Sequence, residues 1–461
     1  MEHKEINSSK VTLSDKIDRL VANKYLGILI FAVIMFIVFT ISQTWLGPKI
    51  SEFVGQGIGA FSGWVENWLA NMGTGDFLTG LVIEGVIGGF GAVVGFLPLI
   101  MVLFFLLNLL EDSGYMARVA LVMDRYFKKI GLAGKSIIPM YVGTACSIPA
   151  IMSARTIKNE KQRRMTVLLT PFVPCGAKLP VIALFVTVFF TDASYLTAIV
   201  YFMAIAVIFL AGYIIKSITG ADFEDQEDTF LIIELPEYKL PSVIRAFKVM
   251  LDRAWAFIKK AATIIVLMNA IIWMTTNFNF RFQAVNPSDS MLRFISEPVA
   301  WLLIPLGFGV WGLAAAAVAG FVAKEEVVGA LAVIFAFSIS EDLEVVSIAA
   351  TREILSTTGG LTAVAAFAYM AFNLFTPPCF AAIGAMNSEL GSKKWTLFAV
   401  GLQFGIGYFV AIVIYQLGTL VFYQQLGTGW FASIFLIAAF VGVFIYMKNL
   451  AKQGKGFAKI G

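Results

Sequence analysis

The sequence is poor in charged residues and in histidine. Only 14% of its 461 residues are charged, whereas 59% are hydrophobic, and this balance excludes an ordinary water-soluble globular protein of this length. The single histidine, His3, lies in the polar N-terminal tail. A zinc site held by histidines or a histidine-based catalytic triad is therefore excluded from the apolar part of the chain.

A phosphate-binding loop is also missing. The segment GLAGKS at 131–136 resembles one, but that motif needs four residues between its first glycine and the Gly-Lys pair, and this segment has two. Lys129 occupies the position that the first glycine would take. We therefore expect no bound nucleotide, and we predict a protein without enzymatic activity of its own.

Long apolar segments make up most of the chain. The first runs from Tyr25 to Trp45, and about 20 mostly apolar residues suffice to cross the hydrocarbon of a bilayer. Further segments occupy about 77–110, 136–153, 165–190, 193–215, 258–277, 299–322, 326–339, 361–387, 396–423 and 429–447. The weaker stretch 50–73 is expected to lie flat at the membrane interface. The predicted fold class is an all-α, polytopic membrane helical bundle.

Some of these segments are too short or too interrupted to be straight spans. Segment 136–153 contains Pro139 and Pro149, and segment 326–339 directly follows three charged residues. Pro98 predicts a tilt or break within 77–110. Irregular backbone persists at membrane depth only where it is buried in protein or lines a cavity. We therefore expect broken or re-entrant helices.

Lysine and arginine are concentrated in four stretches, at 1–24, 155–164, 216–260 and 448–461. Short cytoplasmic loops of membrane proteins collect these residues, so all four stretches are predicted to lie on the cytoplasmic side. Both termini would then be cytoplasmic and the number of spans even. The asparagine-rich stretch 278–296 would face outside.

Four carboxylates lie inside apolar segments or at their edges. They are Glu111, Asp112, Glu325 and Glu326. An ionised carboxylate at membrane depth costs at least about 2.5 kcal/mol, so each needs a compensating partner. One interpretation places them at the water interface or pairs them with Arg118 and Lys324. The other places them along a cation path, and for Glu326 the sequence favours neither.

Each of the three cysteines has prolines beside it: Cys146 in ACSIP, Cys175 in VPCGAKLP and Cys379 in TPPCF. A free cysteine is most often a small buried hydrophobic residue. Its position at a helix break instead indicates a ligand, because thiolates select softer metals than carboxylates do. Met116 and Met152 are weaker candidates. A mixed set of oxygen and sulfur ligands favours Fe²⁺, with Mn²⁺, Zn²⁺ and Co²⁺ left open.

The two halves of the chain repeat a pattern. In the first half an apolar run with acids at 109–123 precedes a Pro-Cys segment at 171–185, and in the second half 321–335 precedes 373–387 in the same way. Many transporters are built from repeats of this kind, with the substrate site between them near the middle of the membrane.

Six ordered strings carry a resemblance to a known family. They are LEDSGYMARVALVMDR, GLAGKSIIPMYVGTACSIPAIMSARTI, LLTPFVPCGAKLPVIALF, ELPEYKLP, AKEEVVGAL and TPPCFAAIGAM. In this order they resemble the membrane region of ferrous iron transport protein B (FeoB), from near residue 14 almost to the C-terminus.

The resemblance implies two Gate-type repeats of opposite orientation that move Fe²⁺ inward across the bacterial inner membrane. It places the path at Cys146, Cys175 and Cys379, with Glu111, Asp112 and Glu325 nearby. Two positions depart from the family pattern. Lys178 replaces the usual arginine, which we expect to be neutral, and Glu326 replaces an apolar residue.

The implied partners follow from the family. Only 13 residues precede the matching region, so the GTP-binding domain typical of the family is expected to be absent from this chain. The partners would be the lipid bilayer and a separate GTPase chain or a small FeoA-like protein, with no nucleic acid and with oligomerisation left open. Two rivals stay open: a carrier of nucleosides or other organic solutes, and a metal-sensing membrane subunit for a separate GTPase.

The expected organisation has seven parts. They are a polar cytoplasmic tail (1–13), a first transmembrane helix with an interfacial segment (14–76), Gate repeat 1 (77–192), a central helix with a cytoplasmic connection (193–260), Gate repeat 2 (261–390), C-terminal transmembrane helices (391–447) and a basic cytoplasmic tail (448–461).

Overall fold

The computed structural model describes most of the chain. The described residues are 26–73, 75–127, 132, 134–190, 195–219, 238–259, 263–281, 283–285, 289–335, 353–356 and 360–450. Lys129, the predicted N-terminal tail and most of the predicted C-terminal tail lie outside these ranges. Within them the chain is helical, and the β-structure is one isolated bridge between Phe278 and Ala284. This confirms the predicted all-α class.

The described part of the first half contains ten α-helices. They are α1 (Leu26–Phe39), α2 (Leu46–Asn71), α3 (Asp76–Gly80), α4 (Gly88–Asp112), α5 (Tyr115–Phe127), α6 (Ile137–Gly143), α7 (Ser147–Ser153), α8 (Glu160–Leu169), α9 (Leu179–Phe189) and α10 (Tyr195–Thr219). Short π-helical segments join α1 to α2 and α3 to α4.

The second half of the described chain contains nine more named helices. They are α11 (Val243–Phe257), α12 (Thr263–Asn277), α13 (Met291–Leu303), α14 (Trp311–Val322), α15 (Glu326–Phe335), α16 (Ala363–Phe375), α17 (Phe380–Leu390), α18 (Lys393–Tyr423) and α19 (Trp430–Leu450).

Seven helical stretches among the described residues are long and apolar enough to cross a membrane. In addition, the segment Met291–Leu306 and helix α14 form a pair bent by 102°, which makes an eighth span if it crosses as one unit. The predicted topology needs an even number of spans. The structure gives an even number, eight, only when the bent pair is counted as one span. A bent pair of this kind agrees with the expectation of broken or re-entrant helices.

The N-terminal helices differ from the sequence expectation in one respect. The segment Thr40–Trp45 continues α1 into α2, so the stretch expected at the interface prolongs the first helix. Helix α2 packs along α4, where the Ser42 hydroxyl donates to the Leu99 carbonyl at 3.0 Å. Pro98 lies inside α4 without ending it. Serine hydroxyls and neighbouring helices can satisfy backbone groups near a membrane proline.

The most buried helices lie in the centre of the bundle. In the most apolar window of the span 363–390, 72% of the residues are buried, and in that of 160–189 the share is 67%. The corresponding share is 6% for 430–449, whose helix α19 is therefore largely open to lipid. The central helices are also the interrupted ones.

Candidate metal centre at the helix breaks

Each cysteine is the last residue before a helix or helical turn. Cys146 (φ −150°, ψ 130°) precedes α7, and Cys379 (φ −55°, ψ 155°) precedes α17. Cys175 (φ −92°, ψ 164°) precedes the 3₁₀ turn Gly176–Lys178, which leads into α9. None of the three has helical backbone angles. A proline directly precedes Cys175 and Cys379, and Pro149, three residues after Cys146, clashes with a helix continuing through the Ala145 carbonyl.

Four breaks share this construction, two in each half. In the first half they are Thr144–Cys146, between α6 and α7, and Val173–Cys175, between α8 and α9. In the second half they are Ala323–Glu325, between α14 and α15, and Thr376–Cys379, between α16 and α17. We call these the four breaks. Each contains one thiol or carboxylate: Cys146, Cys175, Glu325 and Cys379.

The four breaks come together in the middle of the bundle. The Gly176 amide donates to the Ala145 carbonyl at 3.0 Å, which joins the two breaks of the first half. Helices α7 and α17 pack against each other, immediately after Cys146 and Cys379. Cys146 lies near Cys175, Cys379 and Glu325, so that a negative charge on any of them would repel one on Cys146. Residues up to 233 positions apart in sequence therefore form one group.

The group is loose. Among the residues that the structure describes, no three His, Cys, Asp or Glu side chains are arranged to hold one metal ion. Cys175 is buried, while Cys146, Cys379 and Glu325 are half-buried. Among the described residues the arrangement therefore contains no closed coordination shell.

Two buried lysines join the breaks, and sequence reasoning missed both roles. The Lys178 ammonium donates to the carbonyls of Pro171, at 2.9 Å, and Leu374, at 2.6 Å, so it links the first half to the end of α16. Lys324 donates to the Thr376 hydroxyl at 3.3 Å. Each lysine is only 2% exposed. The sequence contained one signal for these roles, namely a lysine within an apolar segment, because a charged group at membrane depth needs polar partners.

The two neighbouring glutamates of the second half face different surroundings. Glu325 lies in the break, near Cys146 and Cys379. Glu326 begins α15 and accepts a hydrogen bond from the Asn269 amide of α12 at 3.3 Å. Within the described residues neither forms an ion pair with Lys324, so that alternative from the sequence is wrong.

Glu111 and Asp112 lie at the end of α4, away from any described contact with the cysteines. Glu111 lies 3.8 Å from the Arg253 guanidinium of α11, and its side chain is 56% exposed. Arg118, the partner suggested by the sequence, donates to the Gly114 carbonyl and stacks on the Tyr238 ring at 3.7 Å. The role of these two carboxylates in a cation path stays a prediction.

The methionine candidates differ in exposure. Met116 lies in the apolar core of α5 and is 5% exposed, as expected for a packing residue. Met152 is half-buried on α7, in the helix that Cys146 precedes. Neither has a described contact with a cysteine sulfur.

An ion pair joins the C-terminal ends of α7 and α17. Arg155 follows α7 and reaches Glu389, near the end of α17, at 2.6 Å. The hydrogen bond to Glu389, together with its charge, raises the pKa of the Arg155 guanidinium. The two helices that begin at Cys146 and Cys379 are therefore also held together where they end. No sequence pattern suggested this pair.

Family comparisons agree with the division into two halves. The Gate family model, described as nucleoside recognition, matches residues 93–189 and 258–393, and each segment contains two of the four breaks. The model of the ferrous iron transport protein B C terminus matches residues 197–253. No solved structure matches the chain.

Curated relatives match almost the whole chain. The Fe(2+) transporter FeoB of Staphylococcus aureus strain COL is 37% identical over 90% of this chain and 60% of its own length. The Fe(2+) transporter FeoB of Methanocaldococcus jannaschii is 32% identical over the same shares. A fusion of Fe(2+) transport protein A with FeoB from Porphyromonas gingivalis is also 32% identical, over 89% of this chain and 52% of its own length.

This chain therefore spans about 60% of the length of the FeoB relatives from the first two organisms. The Gate model covers its two halves, and the C-terminal model covers the region between them. The chain belongs to the Gate family and carries the membrane region of ferrous iron transport protein B.

Proposed function

We propose that the chain conducts Fe²⁺ across the bacterial cytoplasmic membrane, along a path through the four breaks. The observation that carries this proposal is the meeting of four interrupted helices, each with one thiol or carboxylate at its break. Relatives with 32–37% identity are named Fe(2+) transporters, which supports ferrous iron as the substrate.

The ligand chemistry suits a borderline divalent ion. Cys146, Cys175 and Cys379 offer soft sulfur, and Glu325 offers hard oxygen, whereas Mg²⁺ and Ca²⁺ prefer oxygen alone. A thiol binds metal as thiolate, so passage of the ion would displace protons from the sulfurs.

Loose ligand sets favour transport over storage. Conduction needs binding that is strong enough to draw the ion in and weak enough to release it. No three candidate ligands among the described residues surround one point, so each ion would be passed between partial sites.

The gap beside the two buried lysines is too small for an organic solute. The gap bordered by Lys178, Lys324 and Asn373 is closed, with about 0 Å³ of space for a water-sized molecule. Pockets for organic ligands usually measure about 300–1,000 Å³. A nucleoside therefore does not fit this gap in the conformation described, although the matching Gate model carries the description nucleoside recognition.

Transport of a divalent ion inward does not itself require hydrolysis. At a membrane potential of about 100 mV, an ion of charge two gains roughly 4.6 kcal/mol, twice the value for one elementary charge. A gated path can use this energy directly. Regulation by a separate GTPase chain, or by a small FeoA-like protein such as the partner fused in one relative, is compatible with this proposal.

The decisive experiment is metal uptake into liposomes that contain only this chain. Fe²⁺, Mn²⁺, Zn²⁺ and a nucleoside are compared, and uptake is normalised to the amount of inserted protein. We expect Fe²⁺ uptake, with a loss of at least about tenfold in the Cys146→Ser, Cys175→Ser and Cys379→Ser triple variant. Serine keeps a similar volume but removes the soft sulfur.

The matched control replaces the buried Ser147, next to Cys146, by alanine. It alters the same helix start without removing a sulfur. Wild-type uptake in all single cysteine variants and in the triple variant would rule out a thiol path. Nucleoside uptake without metal uptake would replace the proposal by an organic-solute carrier, and no flux of any solute would favour a sensing subunit.

A further inference from the structure

A groove outside the transport path lies between α10, α18 and α19. All three helices contribute candidate membrane spans, and the groove has a volume of about 510 Å³. Its wall consists of apolar and aromatic side chains and glycines. The one hydroxyl on it, from Tyr408, already donates to the Leu302 carbonyl. An occupant therefore finds no hydrogen-bonding partner among these side chains and must be apolar along its length.

The groove runs along the helices for the depth of one leaflet. Its wall extends from Leu436 to Met447 on α19, and 11 residues of helix rise about 17 Å. Half of the hydrocarbon thickness of a bilayer is about 15 Å. A single acyl chain of one leaflet matches this length.

One end of the groove lies among lysines. In the last turn of α19, Lys448 lies four residues after the groove residue Phe444, on the same face of the helix.

Helices α18 and α19 are joined by a short connection and run antiparallel, with the Phe409 and Phe440 rings stacked at 5.1 Å. The beginning of α18, with Lys393 and Lys394 shortly before the groove residue Phe398, therefore lies at the same end. Basic side chains between membrane helices attract anionic headgroups.

We propose that this groove binds an anionic phospholipid from the leaflet on the lysine side. One acyl chain occupies the groove, and the phosphate lies at the end of the groove that carries Lys393 and Lys448. The charge pattern selects an anionic headgroup over a zwitterionic one. The apolar wall requires an acyl chain, so inorganic phosphate alone does not occupy the site.

The test uses native mass spectrometry of the full chain, released from detergent after incubation with phosphatidylglycerol or with phosphatidylcholine at equal concentration. We expect at least about tenfold more retained phosphatidylglycerol than phosphatidylcholine. Inorganic phosphate at millimolar concentration should not compete.

Two kinds of variant locate the site. A side chain at Gly401, which lines the groove, meets no atom within 4 Å of its Cβ, so Gly401→Leu fills the groove without a backbone clash. Gly442→Leu is the matched control, because Gly442 is equally open but does not line the groove. The double variant Lys393→Glu and Lys448→Glu reverses the charge at the mouth, and Lys158→Glu is its control.

We expect Gly401→Leu and the double variant each to lose at least about tenfold of the retained phosphatidylglycerol, while both controls retain it. Circular dichroism melting of each variant reports whether it folds, and the charge variants test the site even if Gly401→Leu does not fold. Equal retention of both lipids, or retention in Gly401→Leu as high as in Gly442→Leu, overturns the proposal. So does unchanged binding in the folded charge variant.

Discussion

The helices at the centre of the bundle are interrupted and buried, whereas those at its edge are continuous and exposed. The spans 363–390 and 160–189 are mostly buried, and their helices stop and restart. The span 430–449 is almost entirely open, and its helix α19 runs without a break. Backbone groups exposed to lipid must be satisfied inside the helix, so irregular backbone is restricted to the protein interior.

The same division applies to charge. At the breaks, the Lys178 ammonium donates to two carbonyls that the ended helices leave without an internal partner. At the edge, Lys448 lies in the last turn of α19, where a lysine can reach the headgroup region. A lysine in the centre holds the backbone in place, whereas one at a helix end contacts water or headgroups.

The largest effect that would test this contrast comes from Lys178→Met. It leaves the Pro171 and Leu374 carbonyls without their described donor, and each buried acceptor left unsatisfied costs about 1–3 kcal/mol. Removal of a buried charge offsets part of this loss. We expect a net loss of about 2 kcal/mol in the free energy of unfolding, measured by denaturant titration in mixed micelles.

The control for this variant is Lys448→Met at the lipid-facing edge, for which we expect a change below about 0.5 kcal/mol. Lys178→Arg should restore most of the stability, because the guanidinium has enough donors for both carbonyls. If Lys178→Met and Lys448→Met have the same free energy of unfolding, the proposed difference between buried and edge lysines is wrong.

A smaller effect is expected for the ion pair between the halves. Glu389 is buried, with 4% of its side chain exposed, whereas Glu160 of the local pair with Arg164 is 61% exposed. We expect Glu389→Gln to lower the free energy of unfolding by about 1 kcal/mol, and Glu160→Gln by less than about 0.5 kcal/mol. Double-mutant cycles with Arg155→Gln and Arg164→Gln measure each coupling energy. Equal coupling energies would show that the pair of Arg155 and Glu389 stabilises the protein no more than the local pair of Arg164 and Glu160.

The smallest effect concerns the exposed carboxylate of Glu111. Its pair with Arg253 is exposed, and such interactions are worth about 0.2–1 kcal/mol and are screened by salt. Glu111→Gln should therefore slow Fe²⁺ uptake by liposomes no more than about threefold, with less effect at high salt. Glu325→Gln, at a break, should slow uptake more and at every salt concentration. A larger loss of uptake in Glu111→Gln than in Glu325→Gln would indicate that the ion path passes the end of α4.

The sequence predicted the elements of this molecule better than their contacts. Apolar length predicted the membrane helices, and prolines predicted interruptions near Cys146, Cys175 and Cys379, because both signals act over one or two turns. Pro98 was predicted to tilt or break its helix, but α4 continues through it. A membrane helix can continue through a proline when neighbouring groups compensate, and no local pattern reports which neighbours are present.

The candidate site was predicted in part, and the missing part is the set of contacts between the halves. Arg155 and Glu389 are 234 positions apart, and Lys178 and Leu374 are 196 apart. Glu325 and Glu326 are adjacent in sequence, yet Glu325 lies near the cysteines and Glu326 accepts a hydrogen bond from Asn269. The sequence alone determined that this is a polytopic helical protein with thiols at helix breaks, since composition and proline act locally. Only the tertiary structure decided which breaks meet and which charges support them, because those depend on how distant helices pack.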